Sequence, residues 1–153
     1  MELNHHIMKK VLFVVSMFWL AGVALAADSG WLTSLPDAQA RAKKEKKLIL
    51  LNFTGSDWCA ACKVLEAEAL SKPEFADYAR KKLVLVLVDF PLGLKQPEAL
   101  QKANNRLQEK YKVEGYPTLI LLNPDGDVVW TEHGYSGGGS KALIAELEKA
   151  QKK

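Results

Sequence analysis

Leu83-Val84-Leu85-Val86-Leu87-Val88 is an unbroken apolar run with no polar residue to mark an outer face. A run of strand length without alternation suits a strand buried on both sides, as in a parallel sheet sandwiched between helices. Leu48 to Phe53 and Thr118 to Leu122 are further strand-length runs. Helical patterns separate them. Pro36 to Lys47 carries Ala38, Ala40 and Ala42, with Ser34 or Asp37 as cap candidates. Good helix formers continue from Cys59 to Leu70, Ser71-Lys72-Pro73 interrupts them, and Glu74 to Lys81 resumes with Phe75, Tyr78 and Ala79 on one side. Pro97 to Lys110 places Leu100, Ala103, Leu107 and Tyr111 at core spacing. Asn123-Pro124-Asp125-Gly126 is a strong turn signal and predicts that Asp127 to Glu132 pairs back as a hairpin. Lys141 to Lys152 reads as a closing helix with Leu143, Ile144 and Leu147 inward. The order α-β-α-α-β-α-β-β-α predicts an α/β fold. Its centre is a mixed sheet, a parallel βαβ unit with right-handed crossover followed by a β-hairpin, covered by helices on both faces.

The first residues read as a targeting segment. Met8-Lys9-Lys10 is basic, Val11 to about Leu25 is apolar, and Ala24-Leu25-Ala26 is a cleavage signal. The expected division is a signal peptide over 1–26 and a single domain over 27–153. An uncleaved anchor is the alternative, although the apolar run falls slightly short of a span of about 20 residues. The net charge of +3 is modest. Lys43, Lys44, Lys46 and Lys47 cluster, but Glu45 interrupts them and no aromatics interleave. They read as a solvated helix face, and no nucleic-acid partner is expected.

Cys59 and Cys62 are the only cysteines. They lie where the first core strand gives way to a helix. Unpaired N–H groups and the helix dipole at such a junction favour a thiolate on the first cysteine. A thiolate is the nucleophile of disulfide exchange, and a second thiol one turn on can resolve the mixed disulfide. A structural staple is the bland reading, but a loop this short removes little chain entropy. Covalent haem needs a histidine after the second cysteine, where Lys63 stands. A zinc site needs about four ligands, and beyond the leader only His133 adds a nitrogen. Neither a metal nor an organic cofactor is expected.

The chain resembles the thioredoxin family. The resemblance rests on Phe53…Trp58-Cys59-Ala60-Ala61-Cys62-Lys63 at a strand-to-helix turn and on Gly115-Tyr116-Pro117-Thr118 before the hairpin. The turn Asn123-Pro124-Asp125-Gly126-Asp127 and Gly134 ahead of the last helix complete it. Asn52 to Cys59 is more similar to exported members than to the cytosolic reductase. The resemblance implies a thioredoxin-like fold in which Cys59 is the exposed nucleophile and Cys62 the buried resolving thiol. It implies a cis Pro117, a backbone edge at Tyr116 that pairs with the substrate chain, and Trp58 as an apolar shelf.

Some residues depart from the family pattern. Ala60-Ala61 stands where Gly-Pro is frequent. The buried acid of the family falls at Asn52, which cannot accept a proton. Asp57 is expected to oppose a thiolate at Cys59 and Lys63 to favour it. The implied activity is that of an exported thiol-disulfide oxidoreductase acting on protein substrates, more as reductant than oxidant, with the bacterial periplasm as the expected compartment. A reductant there implies a membrane electron donor. The chain is expected to act as a monomer. Couples sharing this arrangement span about 150 mV, so direction is not written in the motif. The alternatives are a thioredoxin-like binding or chaperone module, and a metallochaperone or cytochrome assembly module with a secondary redox role.

Overall fold

The computed structural model describes residues 30–152. The expected signal peptide over 1–26 and its cleavage after Ala26 lie outside the described residues.

The element order is β1 (Trp31–Leu32), α1 (Leu35–Glu45), β2 (Leu48–Thr54), α2 (Ala60–Leu65), a π-helical turn (Glu66–Leu70), α3 (Pro73–Lys82), β3 (Leu83–Asp89), α4 (Glu98–Tyr111), β4 (Thr118–Leu122), β5 (Val128–His133) and α5 (Gly139–Ala150). They form a five-stranded sheet in the order β1-β3-β2-β4-β5. β2 and β3 run parallel from Leu48 opposite Leu83 to Thr54 opposite Asp89. β4 lies antiparallel to β2, and β5 antiparallel to β4. The expected mixed sheet is therefore present. β1 was not expected; it pairs only Trp31 and Leu32 with Leu85 and Val86.

Strand alternation divides the core in two. Leu50, Leu85, Leu119 and Leu121 point to one face and pack with Leu65, Phe75, Leu143 and Leu147 from the helices α2, α3 and α5. Ile49, Leu51, Phe53, Val86, Val88 and Ile120 point to the other and meet Leu35, Ala38 and Ala42 of α1, with Leu107 and Tyr111 of α4 alongside. This is why β2 and β3 read as continuous apolar runs: both of their faces are covered.

Three local features differ from expectation. The helix after the cysteines widens at its end, where the Ser71 N–H donates to the Glu66 carbonyl at 2.9 Å and the Ser71 hydroxyl to the Glu66 carboxylate at 2.6 Å. Pro73, which has no N–H, then starts a new helix. In α4, Ala103 is exposed and Leu100 and Leu107 are only half-buried. The fully buried residue is Asn104, whose Nδ2 donates to the Asp89 carbonyl at 2.9 Å. A polar tie at the end of β3 thus replaces part of the expected apolar contact. The β4–β5 ladder slips one residue at Leu121 and Leu122, leaving a bulge near Val129. No helix among the described residues is long and apolar enough to cross a membrane.

Candidate active site

β2 ends at Thr54, and the chain turns sharply over 55–58. The N–H groups of Trp58 and Cys59 both donate to the Gly55 carbonyl, at 3.2 and 2.8 Å. A Cβ on Gly55 would collide with the Trp58 indole, so this position demands glycine for a close approach. Cys59 then caps α2 in an extended conformation, and its Sγ accepts the Cys62 N–H at 3.2 Å. Cys59 and Cys62 are joined as a disulfide with Cα atoms 5.2 Å apart.

The expected exposure of Cys59 is not seen in this disulfide form. Cys59 is 6% exposed and Cys62 5%.

The Tyr116–Pro117 bond is cis. Thr118, buried, donates its hydroxyl to the Gly115 carbonyl at 2.8 Å and so fixes the loop before β4. Tyr116 precedes the first paired residue of β4 and stays outside both ladders. Its ring meets Trp58 edge-on at 5.8 Å and Phe90 at 5.2 Å. These contacts join the cysteine turn, the cis-proline loop and the segment after β3. Burial raises the Tyr116 hydroxyl above the usual tyrosine value, against a smaller lowering by its hydrogen bond to Gln108. Trp58 is 45% exposed, and its indole N–H donates to the Phe90 carbonyl at 2.8 Å. It is an anchored, half-open shelf.

Asp57 and Lys63, expected to act on a Cys59 thiolate, bond to backbone groups in this disulfide form. Asp57 does not aim its carboxylate at the cysteines. It accepts the N–H groups of Leu92, Gly93 and Leu94 at 3.1, 2.6 and 3.2 Å. The Gly93 bond, helped by those of Leu92 and Leu94, holds its carboxyl below the ordinary aspartate value despite some desolvation. Lys63 reaches back to the Asp57 carbonyl at 2.9 Å rather than to a sulfur. Asn52 does lie beside Cys62. Both line a cleft of ≈ 500 Å³ together with Trp31, Thr54 and Leu87. Asn52 is 4% exposed, and its Oδ1 has no hydrogen-bond partner.

Asp89 and Phe90 escaped the sequence reading. The Asp89 carboxylate accepts the Ser56 N–H and hydroxyl at 2.9 and 2.6 Å and pins the turn ahead of the cysteines. Its only local signal is that it is the first polar residue after the β3 run. Among the described residues, no three His, Cys, Asp or Glu side chains converge as a metal site.

The arrangement is one disulfide at a helix start, an anchored tryptophan and, before a cis proline, Tyr116 outside both strand ladders. It can exchange a disulfide with a chain laid across it. Comparison with known proteins agrees. A family model described as a thioredoxin-like domain matches residues 35–151. The chain is 35% identical to "Disulfide bond reductase DsbH" of Chlamydia pneumoniae, over 83% of this chain and 75% of that protein. It is 31% identical to "Thioredoxin-related protein DsbJ" of the same organism, over 77% of this chain but only 36% of the relative. A solved structure described as "DsbH Oxidoreductase" superposes with a TM-score of 0.74 at 34% identity, covering 80% of this chain and 83% of that one.

Proposed function

The chain belongs to the thioredoxin-like family of protein-disulfide oxidoreductases, and from that premise we propose that it is an exported reductant of protein disulfides. The single observation that carries this is the Cys59–Cys62 pair joined through Trp58 and Tyr116 to the cis Pro117 loop. The name of the DsbH relative, a disulfide bond reductase, favours reduction over oxidation.

In the reduced protein the Cys59 thiolate attacks one sulfur of a client disulfide. The other client sulfur leaves as a thiolate, and a Cys59–client mixed disulfide forms. Cys62, deprotonated, then attacks the Cys59 sulfur, and the second client sulfur departs. The client has gained two electrons, and the Cys59–Cys62 disulfide seen here is the product. Tyr116 and Pro117 hold the client backbone, and Trp58 supports it beside Cys59. A membrane donor returns two electrons for the next cycle. The working protein is a single domain over 27–153, freed from a leader over 1–26 and acting as a monomer.

Non-reducing electrophoresis of variants after export in the native host tests the mechanism. Cys62→Ala should accumulate mixed disulfides that vanish with reductant, and Cys59→Ala should not. Equal trapping by the two variants would defeat the assigned roles. Function that survives Cys59→Ala would favour a binding or assembly module with a passive cysteine pair. Equilibration with glutathione should return a potential nearer thioredoxin's, about −270 mV, than the −120 mV or so of a strong oxidant.

A further inference from the structure

β3 ends at Asp89 and α4 begins at Glu98. Between them Leu92 is 80% exposed and Leu94 63%. A single exposed leucine carries no message. Here two flank Gly93 in a segment that is tied down rather than loose. Asp57 accepts the N–H groups of Leu92, Gly93 and Leu94. Trp58 donates its indole N–H to Phe90, and the Phe90 ring rests against Tyr116. Gln96 closes the far side by donating to the Asp89 carbonyl at 3.1 Å. Three of these anchors, Asp57, Trp58 and Tyr116, belong to the turn and loop that carry the disulfide and the cis proline. With its backbone donors spent on a carboxylate, the segment is held with both leucines outward. Such order applied to apolar side chains in water is what a preformed contact surface requires.

We propose that Leu92 and Leu94 extend the Trp58 shelf into a docking lip for an extended, apolar stretch of client chain next to the client's disulfide. This rests on the reading that Cys59 exchanges disulfides with proteins. The occupant follows from continuity. A client sulfur must reach Cys59, the client chain must then pass Trp58, and the next surface tied to Trp58 is this lip. Apolar flanks gain by burying leucine there; polar flanks do not. The lip would therefore favour unfolded or partly folded clients, whose apolar segments are still open.

The test compares wild type with the Leu92→Ser/Leu94→Ser double variant, both pre-reduced, on three disulfides. They are 5,5′-dithiobis(2-nitrobenzoate), which needs no docking, and two extended peptides of equal length with one disulfide, flanked by Leu/Val or by Ser/Gly. For wild type, the second-order rate constant of this single turnover should favour the apolar peptide by about tenfold. The double variant should lose that preference while reducing the small disulfide and the polar peptide at unchanged rates, which also reports that it is folded. Equal rates of wild type on the two peptides would overturn the lip and leave the exchange reading intact. So would a variant that keeps the preference. A dimer seen by sedimentation in wild type and lost in the variant would overturn it in favour of a second copy as occupant. A wild type that reduces none of the three would overturn the exchange reading and the lip with it.

Discussion

Replacing Asn52 by aspartate changes almost no volume and tests what the cleft beside Cys62 does to a charge. Asn52 is 4% exposed, flanked across the sheet by Leu87 and Leu119, and its Oδ1 has no partner. Burial disfavours the ionised form of a carboxyl and raises its pKa by up to 3–5 units in fully buried sites. The cleft opens partly to solvent, and Lys63 and Glu66 on its wall carry opposite charges. A rise of roughly 3 units is therefore a reasonable magnitude, equivalent to about 4 kcal/mol. The sign follows from linkage. Below about pH 3.9, the unfolded value, both states hold the proton and Asn52→Asp should be as stable as wild type. As pH rises, the unfolded chain ionises first, and the variant should lose about 1.4 kcal/mol per pH unit. The loss should level off above the raised folded value, near pH 7. Stability of a domain this size is about 5–15 kcal/mol, so the variant should remain folded throughout. Urea unfolding of the oxidised protein from pH 3 to pH 8 measures the difference directly. A pH-independent offset, or no offset at pH 8, would refute the reasoning and mean that the cleft solvates a carboxylate as water does.

Other expectations are simpler. Gly55→Ala should displace the Trp58 indole, break its bond to the Phe90 carbonyl, and shift tryptophan emission to the red; unchanged emission would count against the close approach described. Asp57→Ala should speed amide hydrogen exchange at Leu92, Gly93 and Leu94 selectively, read by NMR. Because the Asp57 carboxyl is held below its ordinary value, its contribution is complete above the unfolded value and is lost only as pH falls through the depressed folded one. Protection of the three amides in wild type should therefore persist at a pH where an ordinary aspartate, near 3.9, is half protonated.

The sheet was legible because its strands carry their own signal. β2, β3 and β4 are apolar runs of strand length, and Asn123-Pro124-Asp125-Gly126 marks the hairpin. The cysteine pair was legible as a spaced pattern at a strand-to-helix junction, and the cis proline through the family resemblance. What was lost depends on partners far apart in the chain. Asp57 looked like a charge beside Cys59, but its carboxylate is used by three N–H groups more than thirty residues on. Asn104 drew no notice in the helical pattern of Leu100, Ala103 and Leu107, yet it is the residue buried, where its Nδ2 donates to the Asp89 carbonyl at the end of β3. β1, of two residues, is too short for any periodicity to show. The π-helical turn depends on where Ser71 finds a carbonyl, which no propensity encodes.

The two rims of the sheet differ from its centre in a way that bears on the company the protein keeps. One rim is capped by the two residues of β1, and the other is β5, which carries a bulge and ends in Thr131, Glu132 and His133. Neither offers a long, flat, regular row of free backbone groups. A smooth rim would recruit strand-seeking segments of other chains into growing, insoluble stacks. A stub on one side and a bulge on the other break up the regular row on which such a segment would register, and Thr131, Glu132 and His133 offset the exposed Val128 and Val129 of β5.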